Sequence, residues 1–271
     1  MAVLQSARFF CRVIIRNRHL LLEMTRRDLF DRYAGQVLGG WWTFIHTGLL
    51  VGVYTLLFAG FLYPNLKAGT VLSASPTMFL LSGIMMWVGA AEVFIRSPGI
   101  IRDHAELSRQ VVFPTEVLPV KITLSAMFTM SFGMTLIAAF GVVSGQTPLF
   151  ALPLLVLATV LLTVFLIGVS LLFSALGIFL KDVRELMALY GRLGVYFAPI
   201  FYFKEWVPKS FVPLFYLNPI TWYVETFQDA LAFGGVRSPA VWIGAAVIAG
   251  VSCLLGATVF TRLKPQFGSF V

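Results

Sequence analysis

A chain of 271 residues with 59 % hydrophobic and only 12 % charged side chains carries about half the roughly 25 % charge of an ordinary soluble domain. Its aromatics (26 Phe, 8 Tyr and 6 Trp) outnumber its 20 basic and 12 acidic residues, which excludes a soluble globule, a disordered chain, a coiled coil and a disulfide scaffold. Long apolar stretches recur along the chain, so the expected fold class is an all-α polytopic membrane protein.

Residues 1–38 are studded with arginine and read as a cytoplasmic N-terminal segment rather than a cleaved leader. Arg8, Arg12 and Arg16 recur at helical spacing as one basic stripe with Phe9, Val13 and Leu20 elsewhere on the surface, the pattern of an amphipathic helix lying on the inner membrane surface. Thr25-Arg26-Arg27-Asp28 reads as a capping-box variant opening a second short helix, whose Leu29, Phe30 and Tyr33 would sit in the headgroup layer.

A membrane-spanning helix needs about 20 apolar residues. Trp41 to Tyr63 is the first candidate and Thr77 to Ile95 the second. Between Lys121 and Lys181 no charged residue occurs, so two spans are expected there, joined by the turn-forming Ser144-Gly145-Gln146-Thr147-Pro148. Leu193 to Phe203 is short and interrupted by Pro199, and residues 193–233 read as a fifth crossing or a broken, re-entrant outer segment lining a cavity. Val241 to Phe260 completes six crossings, leaving 264–271 as a short tail.

With the N-terminus inside, sixteen of the 20 Lys and Arg fall on the cytoplasmic side and only Lys67, Lys204, Lys209 and Arg237 lie outside. That asymmetry fixes the orientation, with both termini cytoplasmic. The net charge of +8 is thereby assigned to membrane topology, and no nucleic-acid partner is expected.

Chemistry-bearing patterns are sparse. Glycine is never followed by lysine, so no phosphate-cradling nucleotide loop exists, and the sequence contains no H-E-x-x-H, G-x-S-x-G or C-x-x-C. Cys11 and Cys253 stand far apart and His19, His46 and His104 form no cluster, so neither a metal nor a catalytic site is expected. His46, in the first span, reads as a packing histidine more readily than as a functional one. Glu92 and Arg96 suit a local i, i+4 ion pair. Glu225 and Asp229 share a helix face without a third ligand to make a site of them. Gly48 and Gly52 form a G-x-x-x-G seam for close helix packing, within the chain or between copies.

Four segments in this order resemble one family: Glu23 to Leu29 with Arg32 to Gly35, Leu38-Gly39 and Trp41-Trp42; Val112 to Pro119; Ala198 to Tyr202; and Leu217-Asn218-Pro219. The chain is similar over nearly its whole length to the permease subunits of type-2 ABC exporters, in the branch that moves O-antigen, capsule and teichoic-acid polymers. The resemblance implies a six-span permease domain over 39–263 that pairs with a second copy of itself in the bacterial inner membrane. It also implies two separate cytoplasmic ATPase subunits, which hold the ATP, and a lipid-linked polysaccharide as cargo. A cytoplasmic helix from Ile100 to Gln110 would dock on the ATPase through Arg102, Asp103, His104, Glu106 and Arg109, with Pro114 and Pro119 stiffening its link to the third span. The family often carries an arginine one helix beyond Asn-Pro, where this chain has Gln228-Asp229. Thirteen aromatics lie between Tyr190 and Phe227, more than an interfacial belt requires. Tyr196, Tyr202, Trp222 and Tyr223 are the expected conduit residues, offering flat faces on which sugar rings can slide. The alternatives are a drug or small-hydrophobe exporter of the same superfamily and, with less support, an enzyme acting on a lipid carrier, which would need clustered carboxylates or histidines.

Overall fold

The computed structural model describes residues 10, 12–31, 35–57, 75–104, 113–202, 210 and 212–269. Ten α-helices are labelled here: α1 Arg18–Asp31, α2 Trp41–Thr55, α3 Pro76–Arg96, α4 Ile100–Asp103, α5 Val117–Val143, α6 Leu152–Phe179, α7 Asp182–Leu193, α8 Val212–Leu217, α9 Pro219–Gln228 and α10 Pro239–Leu263. Among the described residues there is no strand, and four helical stretches, containing α3, α5, α6 and α10, are long and apolar enough to cross a bilayer.

Their boundaries follow from local chemistry. Ser75 caps α3 by accepting the Met78 N–H, and Pro76 occupies the first turn, where its missing donor costs nothing. α5 ends in a turn built on Gly145, whose φ of +69° only glycine adopts readily; the N–H groups of Gln146 and Thr147 then return to the Gly141 carbonyl. The expected break at Ser144 to Pro148 is thus present. Asn218 caps α9 through the Ile220 N–H, with Pro219 again in the first turn.

α3 is the central pillar, with 83 % of its apolar stretch buried inside the protomer against 33 % for the stretches of α6 and α10. It packs against α5, α7 and α9, while α6 and α10 form the most extensive helix pair. Glycine makes that pair possible: a Cβ on Gly168 would lie 2.3 Å from the Ser252 backbone, and one on Gly256 would lie 2.1 Å from the Gly168 carbonyl oxygen. The outer faces carry apolar side chains at a spacing of four, as in Ile243, Val247, Val251 and Leu255 on α10, which in a bilayer meet lipid.

Several expectations are revised. α1 is one continuous helix through Thr25, whose hydroxyl donates to the Leu21 carbonyl one turn back, so no second helix starts there. α1 also packs one face on the helix bundle. Leu21 and Thr25 are buried, and they share a stripe with Asp28 that packs on α5, while Leu22, Arg26, Arg27 and Phe30 face outward. His46 is exposed on α2 rather than packed in the protomer. α2 is described through Thr55 and a further turn to Leu57, and the rest of the expected first span lies outside the described residues. At 12 residues, or about 18 Å, α7 is too short to cross a core of about 30 Å unaided. It passes into a 3₁₀ turn at Gly194–Phe197 and then bends at Pro199. The C-terminal tail is docked: Lys264–Ser269 forms a 3₁₀ segment and Phe267 inserts among Phe10, Leu118 and Phe260.

Candidate functional site: an inner polar junction and an outer aromatic segment

α1, α3 and α5 meet at Asp28. Its carboxylate is 9 % exposed and accepts both guanidinium arms of Arg96, at 2.6 and 3.0 Å. The Ser125 hydroxyl donates to Asp28 Oδ2 at 2.6 Å, and Lys121 Nζ stands 4.0 Å from Oδ1. Arg96 also donates to Glu92 at 2.8 Å, so the i, i+4 pair expected from the sequence exists as one limb of a larger network. Placing one carboxylate among three donors satisfies charges that would otherwise be costly at this depth.

The junction extends to the turn after α4. His104 Nδ1 lies 3.0 Å from the Ile100 carbonyl and Nε2 lies 3.0 Å from Lys121 Nζ. A carbonyl only accepts and an ammonium only donates, so the ring must be neutral with its proton on Nδ1. Burial first, and the neighbouring Lys121 cation second, hold the His104 pKa below its ordinary value.

The other described coupling candidates have partners within the chain. Arg102 donates to the Ile178 carbonyl at the end of α6, and Asp103 pairs with Arg184 at 3.6 Å on α7. Gly177 packs its backbone on the turn at Ser97–Gly99, with a Cβ position only 2.1 Å from the Pro98 carbonyl oxygen. Ser97 donates to Ser170, which donates to the Pro119 carbonyl, threading α3, α6 and α5 together. Glu116 is fully buried at the foot of α5 and takes Lys264 Nζ at 2.8 Å on both oxygens. Sequence reasoning missed Asp28, Lys121, Ser125, Glu116 and Lys264 as a set, because their contacts join residues up to 148 positions apart. α4 ends at Asp103; Glu106 and Arg109 lie outside the described residues.

The outer aromatic segment contains both exposed and interior rings. Tyr196 is 65 % exposed and stacks on Phe201 with centroids 5.9 Å apart. Tyr202 is half-buried against Phe215 at 5.5 Å, and its hydroxyl has no hydrogen-bond partner among the described residues. Trp222 is half-buried: its indole N–H donates to the Tyr216 carbonyl, and its ring lies over Gly244, where a Cβ would clash at 2.2 Å. Tyr223 is fully buried, its hydroxyl donating to Ala245 at 2.9 Å and its ring against Phe165. It does not reach the protomer surface.

The carboxylates of α9 and the turn after it are occupied by protein groups. Glu225 accepts the Tyr216 hydroxyl at 2.7 Å. Asp229 is 2 % exposed and receives the Arg237 Nε at 2.6 Å and the Trp242 indole at 3.0 Å. Arg237 lies 3.6 Å above the Phe233 ring. An arginine therefore does come to rest beside Gln228-Asp229, supplied from the following turn. Gln228 donates to the Pro199 carbonyl and pins the bend after α7 to α9. No group of three or more His, Cys, Asp or Glu poised for a metal occurs among the described residues.

Four lipid-length helices among the described residues define a multi-pass membrane protein. The chain belongs to the ABC-2 type transporter family, whose model matches residues 19–232. It is 25 % identical over 257 residues to the O-antigen export system permease protein RfbA of Klebsiella pneumoniae, covering 93 % of this chain and 95 % of that one. To the protein of the same description from Myxococcus xanthus it is 24 % identical over 262 residues, covering 96 % and 98 %.

Proposed function

We propose that this chain is the membrane subunit of an ATP-driven exporter that moves lipid-linked O-antigen polysaccharide across the bacterial inner membrane. The observation that carries this reading is the near end-to-end similarity to two O-antigen export permeases within the ABC-2 family. Six crossings are assigned: four by the lipid-length helices, a first by α2 with the segment after it, and a fifth by α7 continuing through its bend into a re-entrant outer portion. Two copies pair and bind two cytoplasmic ATPase subunits. The face of α2 bearing Gly48 and Gly52 supports the pairing, since among the described residues a Cβ at either position would meet nothing within 4 Å.

Force from ATP hydrolysis enters through the segment 100–110. Arg102, Asp103 and His104 anchor it to α5, α6 and α7, leaving Glu106 and Arg109 as the charges offered to the ATPase. A displacement of that segment moves His104 against Lys121 and reaches α1 and α3 through Asp28. At the outer side, Tyr196, Tyr202 and Trp222 offer the glycan aromatic faces, and Tyr223 supports them from within. A polymer that must slide is better served by many weak stacking contacts than by a few strong charged hydrogen bonds.

The test is co-purification with candidate ATPase subunits, followed by hydrolysis assays with candidate glycolipids. Stable recovery of the ATPase and stimulation by O-antigen glycolipid are expected; recovery with stimulation only by small hydrophobic drugs would overturn the cargo assignment. Paired charge reversal, Glu106→Arg with Arg109→Glu, is expected to lower ATPase recovery while the permease still elutes as a single species. Unchanged recovery and normal export would refute the docking assignment.

A further inference from the structure

Between α3, α6, α7 and α8 lies a cavity of about 730 Å³, within the size range of small-ligand sites. Phe94, Phe165, Phe173, Met187 and Phe215 form much of its wall, and the polar groups at it are the Asn218 side chain and the Tyr190 hydroxyl, bonded to each other at 3.0 Å. Asn218 is further fixed by the Ile220 N–H and by donation to the Phe197 carbonyl.

We propose that this cavity holds the hydrocarbon chain of the exported glycolipid, an inference that rests on the reading of the chain as a glycolipid exporter. An almost wholly apolar hollow at membrane depth gains nothing from water, because it offers water too few polar partners. The hollow is open rather than enclosed, so hydrocarbon can enter it. Lipid tails are as apolar as leucine, so selection there comes from shape and from what the polar end of the guest meets. Continuity decides which lipid that is. Two wall residues, Phe197 and Phe215, belong to the aromatic segment, and Phe215 touches Tyr202 while the neighbour of Phe197, Tyr196, stacks on Phe201. Phe94, also on the wall, stands two residues from Arg96 and its charge junction. A guest with its tail in the cavity therefore places its first sugars on the exposed rings, in the pose of a cargo whose head has reached the outer side. A bulk phospholipid has no group that uses those rings.

The experiment places a photo-crosslinking amino acid at Met187 or Leu214, both on the cavity wall, and at Val251, an exposed control on α10. The permease–ATPase complex is set in nanodiscs with equal mole fractions of two alkyne-tagged probes, a polyprenyl diphosphosugar and phosphatidylethanolamine. At positions 187 and 214 the polyprenyl probe is expected to label roughly tenfold more than the phospholipid, with no preference at position 251. Filling the hollow by Leu172→Trp or Val169→Phe is expected to abolish the preference. Equal labelling at 187 and 251 would show bulk lipid in the cavity, and a cross-link between two permease copies would show that the partner covers it; either overturns the proposal. ATP-driven O-antigen export without preferential labelling sinks the cavity alone, whereas preferential labelling without such export sinks the exporter reading instead.

Discussion

Asp28 holds Arg96 and Ser125 by hydrogen bonds and lies within ion-pair range of Lys121, so its removal leaves Lys121 beside Arg96 with Glu92, on Arg96, as the carboxylate that remains. Breaking a buried pair from one side costs about 3–5 kcal/mol, and since Arg96 keeps 30 % of its side chain exposed, about 2 kcal/mol is the expected loss for Asp28→Ala. A lower unfolding midpoint in detergent, beside an unchanged midpoint for Arg27→Ala in the exposed Glu23 pair, is the expected pattern. Equal shifts for the two variants would contradict the network. His104 supplies a pH test. Its folded pKa lies below the unfolded value, so the unfolded chain binds more protons and stability rises with pH through the histidine range. Acidifying from about pH 7 to about pH 5 should therefore destabilise the native protein more than His104→Gln, whose neutral amide has no proton to gain. Identical acid sensitivity would mean that His104 does not titrate in this setting. None of this was legible beforehand: the sequence showed Glu92 and Arg96 one turn apart, but nothing local in it brings Asp28 to them from 68 residues away.

The long helices were legible as elements because charge and turn residues punctuate them. Thr77 to Ile95 and Val241 to Phe260 each fell within a few residues of α3 and α10, and the Gly-x-Thr-Pro signal divided α5 from α6. Which face of each helix is buried was not legible. A helix apolar on all sides announces a membrane but not its neighbours, since lipid and protein interior select the same side chains. Tyr223 and Tyr196 therefore looked alike in sequence, yet one is fully buried and the other exposed. The close seam between α6 and α10 gives a prediction at this scale. Gly168→Val is expected to cost about 1–3 kcal/mol or more by forcing the backbones apart. Gly250→Ala, on the same helix pair but with no described residue within 4 Å of its Cβ, should fall within about 0.5 kcal/mol of the native protein. Thermal unfolding of both variants in one detergent checks the contrast, and similar losses would place the seam elsewhere.

For the whole molecule, the charge asymmetry of the sequence predicts an orientation with the Asp28 and Glu116 junctions inside and the Arg237–Asp229 pair outside. After Cys11 and Cys253 are replaced by serine, a cysteine at Val236 should react with an impermeant thiol reagent on intact spheroplasts, and one at Gln266 only after permeabilisation. The overall class was legible from composition, and the order of four short segments pointed to the exporter family, because the turns and caps that build the fold, such as Asn218-Pro219, are local. The route of the cargo was not, because burial of individual rings such as Tyr223 depends on long-range packing that the sequence does not display. The most direct measurement of the central claim is surface O-antigen in cells lacking this chain, resupplied with it beside either the native ATPase or one whose nucleotide-loop lysine is replaced. Surface polymer restored only with the native ATPase, and lipid-linked polymer accumulating on the inner side otherwise, is the expected result; undiminished surface O-antigen without the chain would contradict it.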